Sequence, residues 1–149
     1  MLRICVGKIV MNENAITIEA NILAPINVVW NCWVDPKHIT QWNFASDDWH
    51  CPSVSNDVRV GGHCKSRMEA KDQSFGFDLE YVYNEVEEHK LLSYTLLDGR
   101  KVKTTFTIEE NNTRVVTVFE PETTNPAEMQ KAGWGQILNS FKRHTEAQN

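Results

Sequence analysis

Histidine and cysteine stand side by side twice in this sequence, and both side chains can bind transition metals. The two pairs are His50-Cys51 and His63-Cys64. Neighbouring residues on a strand point to opposite faces of a sheet, so the two side chains of each pair would diverge. Structural zinc sites usually take ligands that are about two to four residues apart. We therefore predict no metal site and no cofactor.

Acid–base catalysis would require a carboxylate whose pKa is raised by burial. The sequence has two pairs of consecutive carboxylates, Asp47-Asp48 and Glu87-Glu88, and their settings are typical of a solvated loop and a strand end. It has no G-x-S-x-G motif, Walker loop or G-x-G-x-x-G motif, which would indicate a nucleophile or a phosphate-binding loop. We identify no catalytic residue, and this favours a protein that is not an enzyme.

Composition and charge narrow the classes of partner. A net charge of −5 disfavours nucleic acids and anionic membrane surfaces, because the chain would on average repel them. No segment approaches the ~20 apolar residues of a membrane span. The four cysteines form no C-x-x-C pair, which is typical of free thiols in a reducing compartment. We predict a cytoplasmic protein, a monomer or a homodimer, with no nucleic-acid binding and no membrane insertion.

The length of 149 residues favours one domain. The first ten residues are too short for a signal peptide and are not followed by a small-residue cleavage site, whereas Met11 offers a second start. We expect residues 1–14 to be an extension that is disordered or precedes the functional start, and residues 15–147 to form the domain.

Alternation of apolar and polar residues predicts a strand over residues 16–22. Two short helices follow, over residues 26–34 and 36–42, and Asp35 and Pro36 are suited to the N-cap and first position of the second. After a loop over residues 43–52, a series of strands is predicted over residues 57–60, 63–70, 75–83, 91–97, 101–109 and 114–119, with turns at Gly61-Gly62, Asp98-Gly99 and Asn111-Asn112.

A long helix ends the chain. We predict Asn125 as its N-cap, Pro126 at its first position and Glu128 in a capping box. Its apolar face lies within an arc of about 140° and contains Gly133, Trp134, Ile137, Leu138 and Phe141. This face has to cover the sheet, because no other element is available. The prediction is an α+β fold in which a curved antiparallel sheet wraps around the C-terminal helix.

Two glycines, Gly133 and Gly135, flank Trp134 in that helix. Each interior glycine costs about 1 kcal/mol relative to alanine. Two such losses within one turn indicate either empty space beside the indole or a close approach of the helix backbone to the sheet.

Five segments of the sequence resemble one known family. They are Ala24-Pro25-x-x-x-Val29-Trp30, Asp35-Pro36-x-x-Ile39-x-x-Trp42, Gly61-Gly62 with the strand to Met68, Gly76-Phe77-x-Leu79, and Gly133-Trp134-x-x-x-Leu138-x-x-Phe141. In this order they are similar to the Hsp90 ATPase activator homologue (AHSA1-like) family of the START-like (Bet v 1-like, SRPBCC) superfamily, over about residues 16–146. The resemblance implies a helix-grip fold with a cavity for lipids, sterols, polyketides or other apolar ligands.

The placement of aromatic residues also favours a pocket between sheet and helix. Buried Trp and Tyr usually require a partner for their polar tip, and a core built only for packing would favour Leu, Ile and Val. Ordinary packing is the alternative for each of these aromatic residues. Family members often have an aromatic residue at the position of Cys64, so the cysteine implies a larger or more polar pocket. The candidate ligand-binding residues are Trp30, Trp42, Phe44, Trp49, Cys64, Met68, Phe77, Leu79, Tyr81, Tyr94, Phe106, Gly133, Trp134, Ile137, Leu138 and Phe141.

We therefore expect the protein to bind a small apolar molecule, such as a lipid, a polyketide or an aromatic compound. Two alternatives remain open. Enzymes of the polyketide cyclase or hydrolase type share the fold, although fold alone does not imply function. The family name suggests an Hsp90-directed partner, but the eukaryotic activator has an additional N-terminal domain, for which we expect no room in this chain.

Overall fold

The computed structural model describes the backbone of residues 3–6 and 9–148 and the side chains of residues 11–148. Its first two strands, β1 (Arg3–Val6) and β2 (Ile9–Asn12), pair antiparallel as a small separate sheet. Met11 is fully buried, and the backbone N–H of Asn12 donates to the Glu120 carboxylate. The predicted extension over residues 1–14 includes residues 1, 2, 7 and 8, which lie outside the described part. Its boundary, and a start at Met11, stay predictions.

One curved antiparallel sheet contains the other described strands. These are β3 (Ile16–Ile22), β4 (Trp49–Asn56), β5 (His63–Ala70), β6 (Gly76–Glu87), β7 (Leu91–Leu96), β8 (Lys101–Glu109) and β9 (Asn112–Phe119). The strand order is β3-β9-β8-β7-β6-β5-β4, so β4 to β9 form the predicted meander and β3 pairs with its last strand. The pairing shifts register between His50 and Ser53 and between Tyr83 and Glu85. Such bulges bend strands and help the sheet to curve.

The alternation of apolar and polar residues sets which face of the sheet is buried. In β9 the residues Thr113, Val115, Thr117 and Phe119 are buried, and the residues between them are more exposed. In β8, Thr104 also faces inward. Its hydroxyl forms a hydrogen bond with the hydroxyl of Thr117 in β9, with 2.8 Å between the two oxygens, and either group can be the donor. The predicted bounds of β8 are confirmed, and those of β3, β5, β7 and β9 are confirmed to within two residues.

The prediction for the first edge strand was wrong. Residues 49–52 belong to β4 instead of a loop, and residues 57–60, predicted as a strand, form the connection to β5. Pro52 signalled a loop, but proline is tolerated in an edge strand and at a bulge, where no ladder hydrogen bond is lost. The connection ends in a tight turn in which the N–H of Gly62 donates to the carbonyl of Arg59 over 2.8 Å.

The three described helices are α1 (Ile26–Val34), α2 (Pro36–Trp42) and α3 (Ala127–Ala147). Asp35 caps α2 as predicted, because its carboxylate accepts from the N–H of Lys37. The capping box of α3 is wrong: the N-cap is Pro126, and no side chain caps this end. The first helical hydrogen bonds run to the carbonyl of Pro126, so the helix starts one residue later than predicted, and Asn125 instead donates its N–H and side-chain amide to the Glu122 carboxylate. The α+β helix-grip architecture is confirmed.

An aromatic cluster joins the helices to the sheet. The ring of Trp33 in α1 lies 5.3 Å from that of Trp42 in α2, 4.8 Å from that of Phe141 in α3 and 5.6 Å from that of Phe106 in β8, measured between ring centroids. Trp42 also donates its indole N–H to the carbonyl of Cys32. The contacts of Trp33 with Phe106 and Phe141 are edge-to-face, which is a favourable arrangement for aromatic rings, so one end of the interior is solidly packed.

Candidate functional site

A cavity of about 330 Å³ lies between the concave face of the sheet and α3. Its wall is mostly apolar, with a few hydroxyl, thiol, amide and charged groups. The lining residues are Ile18, Trp33, Ile39, Trp42, Asn43, Cys64, Ser66, Met68, Phe77, Leu79, Tyr81, Tyr94, Leu96, Arg100, Thr117, Glu122, Asn125, Gln130, Trp134, Ile137 and Leu138.

The candidate residues divide between this wall and its surroundings. Those that line the cavity are Trp42, Cys64, Met68, Phe77, Leu79, Tyr81, Tyr94, Trp134, Ile137 and Leu138. Those outside the lining are Trp30, Phe44, Trp49, Phe106, Gly133 and Phe141. That the first group binds a ligand remains a proposal.

The candidates outside the lining are held in other packing. Trp30 and Phe106 are buried against each other, with ring centroids 5.3 Å apart, and Phe141 packs against Trp42. Trp49 instead contacts Phe77, and the two ring centroids are 6.1 Å apart. Hydrophobicity alone could not separate residues that line the cavity from residues that fill the core. Aromatic rings in the solidly packed end and aromatic rings on the cavity wall face the same side of the fold.

Trp134 stacks flat on Phe119 of β9, with ring centroids 4.0 Å apart and an interplanar angle of 5°. The flanking glycines do not approach the sheet closely. A Cβ atom added at Gly133 or at Gly135 would meet no atom within 4 Å. Of the two interpretations of these glycines, a close approach of the helix backbone to the sheet is therefore wrong, and empty space beside the indole stays a prediction.

The sheet side of the cavity carries phenol and thiol groups. The rings of Tyr81 and Tyr94 are stacked with centroids 3.7 Å apart, and Cys64 pairs with Tyr81 in the strand register. Burial is the largest cause that raises the pKa of all three groups above their ordinary values. At neutral pH they are therefore protonated, and they present hydrogen-bond donors and acceptors without a negative charge.

Beyond this wall, Tyr83 donates its hydroxyl proton to the side-chain oxygen of Asn56 over 2.7 Å. Asn56 in turn donates from its amide nitrogen to the carbonyl of Val34 at the end of α1. This chain of hydrogen bonds ties β6 to β4 and to α1, and it fixes the sheet on which the cavity wall is built.

The charged and amide groups of the wall were missed by sequence reasoning. They are Asn43, Arg100, Glu122, Asn125 and Gln130, which come from the end of α2, the turn before β8, the connection after β9 and the first turn of α3. Ile18, Trp33, Ile39, Ser66, Leu96 and Thr117 were also missed. The period-2 pattern of β3 and β9 would have indicated Ile18 and Thr117, since it places both on the concave face.

The adjacent histidine and cysteine residues diverge as predicted. Cys51 and Cys64 are buried, whereas His50 and His63 lie on the outer face, where they pair with Glu69 and Glu80. Burial raises the pKa of the Cys51 thiol to about 11.

The consecutive carboxylates stay in solvent. Asp47, Asp48, Glu87 and Glu88 are all exposed, so none meets the requirement of a buried general acid or base. Among the residues that the structure describes, no helix is both long enough and apolar enough to cross a membrane.

Comparison with known proteins gives a family match and close structural neighbours. Residues 23–146 match the family described as Activator of Hsp90 ATPase homolog 1-like protein. The AHSA1-like protein from Aeromonas hydrophila is 42% identical, with a TM-score of 0.85 over 90% of this chain and 93% of that chain. Chr148 from Cytophaga hutchinsonii is 46% identical, with a TM-score of 0.79 over 91% of this chain and 94% of that chain.

A more distant neighbour is protein NE0264 from Nitrosomonas europaea, which has a TM-score of 0.80 over 92% of this chain and 97% of that chain. At 18% identity it shares the fold alone. No curated protein sequence is significantly similar to this chain.

Proposed function

Since the chain belongs to the Activator of Hsp90 ATPase homolog 1-like family of the START-like (SRPBCC, Bet v 1-like) superfamily, we propose that it binds one small, mainly apolar molecule in the cavity between its sheet and α3. The observation that carries the proposal is the cavity itself. Its volume of about 330 Å³ falls at the lower end of the ~300–1,000 Å³ that is typical of ligand sites.

The wall supports a ligand with a broad apolar surface. Leu79 and Leu96 contribute from the sheet, and Trp134, Ile137 and Leu138 contribute from α3. Removing apolar ligand surface from water yields about 25 cal/mol per Å², so a molecule that fits this space gains affinity mainly from desolvation. A lipid chain, a polyketide or an aromatic compound satisfies this condition.

The polar groups of the wall support a ligand with at least one oxygen. Tyr81, Tyr94 and Cys64 retain their protons because burial raises the pKa of each group. A carbonyl or hydroxyl oxygen placed beside them would accept a hydrogen bond, and the few polar groups of such sites generally fix ligand orientation. Protonated phenols and thiols are poor bases, which favours binding over chemistry at this wall.

An Hsp90-directed role is a second candidate, favoured by the family description. It is checked by adding the purified protein to an Hsp90 ATPase assay, where a stimulated rate would support it and an unchanged rate would dismiss it. The cyclase or hydrolase alternative is checked by turnover of polyketide and ester substrates.

The binding proposal is tested by native mass spectrometry and tryptophan fluorescence with decanoic acid, naringenin and 2-naphthol as probes. We expect a one-to-one complex with at least one probe. Ile137→Trp places an indole in the cavity and should weaken that binding by about tenfold or more, since overfilled sites accept extra atoms poorly. Asn139→Trp adds the same ring on the exposed side of α3 and should leave the affinity unchanged.

Two results would overturn the proposal. One is the absence of any complex with the unmodified protein across the three probes. The other is equal binding by Ile137→Trp and Asn139→Trp, which would place the probe outside the cavity. Trp134→Ala adds a further measurement, because removing the indole from the wall should also reduce affinity.

A further inference from the structure

Three potential metal ligands meet where the three helices come together, outside the lining of the cavity. They are Cys32 in α1, His38 in α2 and His144 in α3. One donor atom from each side chain lies within 4.8 Å of the other two. Cys32 is buried and the two histidines are half-buried, so the cluster is enclosed by protein and still reachable from solvent.

The two imidazoles already face each other. Nδ1 of His38 and Nε2 of His144 are 2.8 Å apart, which is a hydrogen bond between two ring nitrogens. Burial and the neighbouring His38 lower the pKa of His144, which favours the neutral ring. Neutral imidazole nitrogen and cysteine thiolate together are donors that suit thiophilic d¹⁰ cations.

We propose that Cys32, His38 and His144 form a binding site for one thiophilic d¹⁰ metal ion, for which Zn²⁺ is the probe. The site is independent of the proposed ligand cavity. It would link α1, α2 and α3 through a single ion and leave one coordination position for water, as in sites with three protein ligands.

The donor atoms have to move to reach the geometry of a zinc site, since they now lie within 4.8 Å of one another, with 2.8 Å between the two nitrogens. With Zn–N bonds of about 2.0–2.1 Å and a Zn–S bond of about 2.3 Å in a tetrahedron, the two nitrogens stand about 3.3 Å apart and the sulfur about 3.6 Å from each nitrogen. The imidazoles therefore separate by about 0.5 Å to admit the ion. The backbone near the thiol is already held, because the carbonyl of Cys32 accepts from the Trp42 indole over 2.9 Å.

Thr145 supplies an independent observation. Its hydroxyl is buried and meets no oxygen or nitrogen partner, and the group it interacts with is the Cys32 thiol. A hydroxyl in that position can donate to a thiolate, and partners of this kind orient metal ligands. Metal binding would therefore turn the weak thiol acceptor beside this buried hydroxyl into a stronger thiolate acceptor.

Burial raises the pKa of Cys32, and the nearby Asp35 carboxylate raises it further, so the free thiol is protonated. Binding breaks the S–H bond and forms the metal–sulfur bond, and the proton leaves to the buffer. The negative charge of Asp35 that disfavours the bare thiolate favours the cation.

The test uses the full chain, stripped of metal with EDTA and exchanged into clean buffer. Zn²⁺ is titrated by calorimetry, and Co²⁺ is added as a spectroscopic substitute. We expect one equivalent of Zn²⁺ to bind and to raise Tm. Co²⁺ should give the intense visible bands of a tetrahedral site together with a thiolate-to-cobalt charge-transfer band in the near ultraviolet.

The variants separate this site from other thiols and imidazoles. His38→Gln and His144→Gln should each weaken Zn²⁺ binding by at least about tenfold, since loss even of an outer partner costs 10–100-fold. Cys32→Ser should abolish the charge-transfer band. Cys51→Ser and His63→Gln are matched controls and should bind like the unmodified chain.

The proposal fails if Zn²⁺ binds the unmodified chain no more tightly than the His38 and His144 variants. It also fails if the charge-transfer band survives Cys32→Ser or is lost in Cys51→Ser. Because the histidines are half-buried, their glutamine variants should fold, which circular dichroism confirms, and they keep the test decisive if Cys32→Ser does not fold. Probe binding in the cavity should be the same in the histidine variants, so the two proposals fail separately.

Discussion

Replacing Gly133 or Gly135 by alanine should stabilise the protein. A Cβ atom at either position meets no atom within 4 Å, so the change introduces no clash. What remains is the helix propensity, which favours alanine over glycine by about 0.8–1 kcal/mol in a helix interior. We expect each variant to gain about 1 kcal/mol in free energy of unfolding, which raises Tm by about 2–4 °C for a chain of this size.

The assay is urea unfolding followed by tryptophan fluorescence and circular dichroism. The midpoint should rise while the slope stays unchanged, because the surface exposed on unfolding is nearly the same. The double variant should gain the sum, about 1.5–2 kcal/mol, since neither new methyl group contacts anything that the other could disturb. Neither residue lines the cavity, so probe binding should be retained.

Gly62→Ala is the control in which the same substitution meets an obstacle. A Cβ atom there would lie 2.1 Å from the carbonyl oxygen of Asp57 and 3.0 Å from that of Arg59. The turn would have to open, and the hydrogen bond from the Tyr83 N–H to the Gly62 carbonyl would be strained. We expect a loss of about 2 kcal/mol or more. Destabilisation by Gly133→Ala or Gly135→Ala would refute the reasoning, because it would mean that α3 lies against the sheet at these points.

Two further predictions concern buried polar groups. The raised pKa of Cys51, about 11 against 9.0 for the unperturbed thiol, means that the folded chain keeps a proton which the unfolded chain releases. The contribution of Cys51 to the free energy of unfolding should thus be fully present below pH 9 and fall by roughly 2–3 kcal/mol between pH 9 and 11. Urea unfolding across that range should show a shallower decline in stability for Cys51→Ala than for the unmodified chain. Thr104→Val should lower the free energy of unfolding by about 1–2 kcal/mol, because it leaves the Thr117 hydroxyl without its partner. The double variant Thr104→Val/Thr117→Val should lose less than the sum of the two single changes. Additive losses would show that the two hydroxyls do not interact.

Local signals in the sequence were sufficient for most of the fold. The alternation in residues 101–109 and the Asp35-Pro36 pair each act through neighbouring residues, and both predictions agree with the structure. The start of β4 could not be predicted in this way. Its Cys51-Pro52 step is accommodated by a bulge in pairing with β5, and a partner strand that is distant in sequence is invisible to a local pattern.

The two candidate sites differ in how much the sequence reveals. Tyr81, Tyr94 and Trp134 lie on the cavity wall, and the periodicity of single elements is enough to predict which face each of them occupies. Cys32 and His144 are far apart in sequence, and their meeting depends on how the helices pack. No ligand spacing of the zinc-finger kind connects them, so only the tertiary structure could indicate the metal site.

The cavity can persist because α3 is held at its two ends. Near its start, the buried Gln130 amide donates to the carbonyls of Glu122 and Asn125 and accepts from the N–H of Glu122. Near its end, Glu146 accepts from the N–H of Leu23, and the Lys142 ammonium donates to a carbonyl of β3. A helix of 21 residues is a stiff rod of about 32 Å, so fixing both ends also fixes the distance of its middle from the sheet. The residues between α3 and the sheet therefore need not fill the cavity for the fold to be stable. Their side chains can instead be of types that suit a ligand.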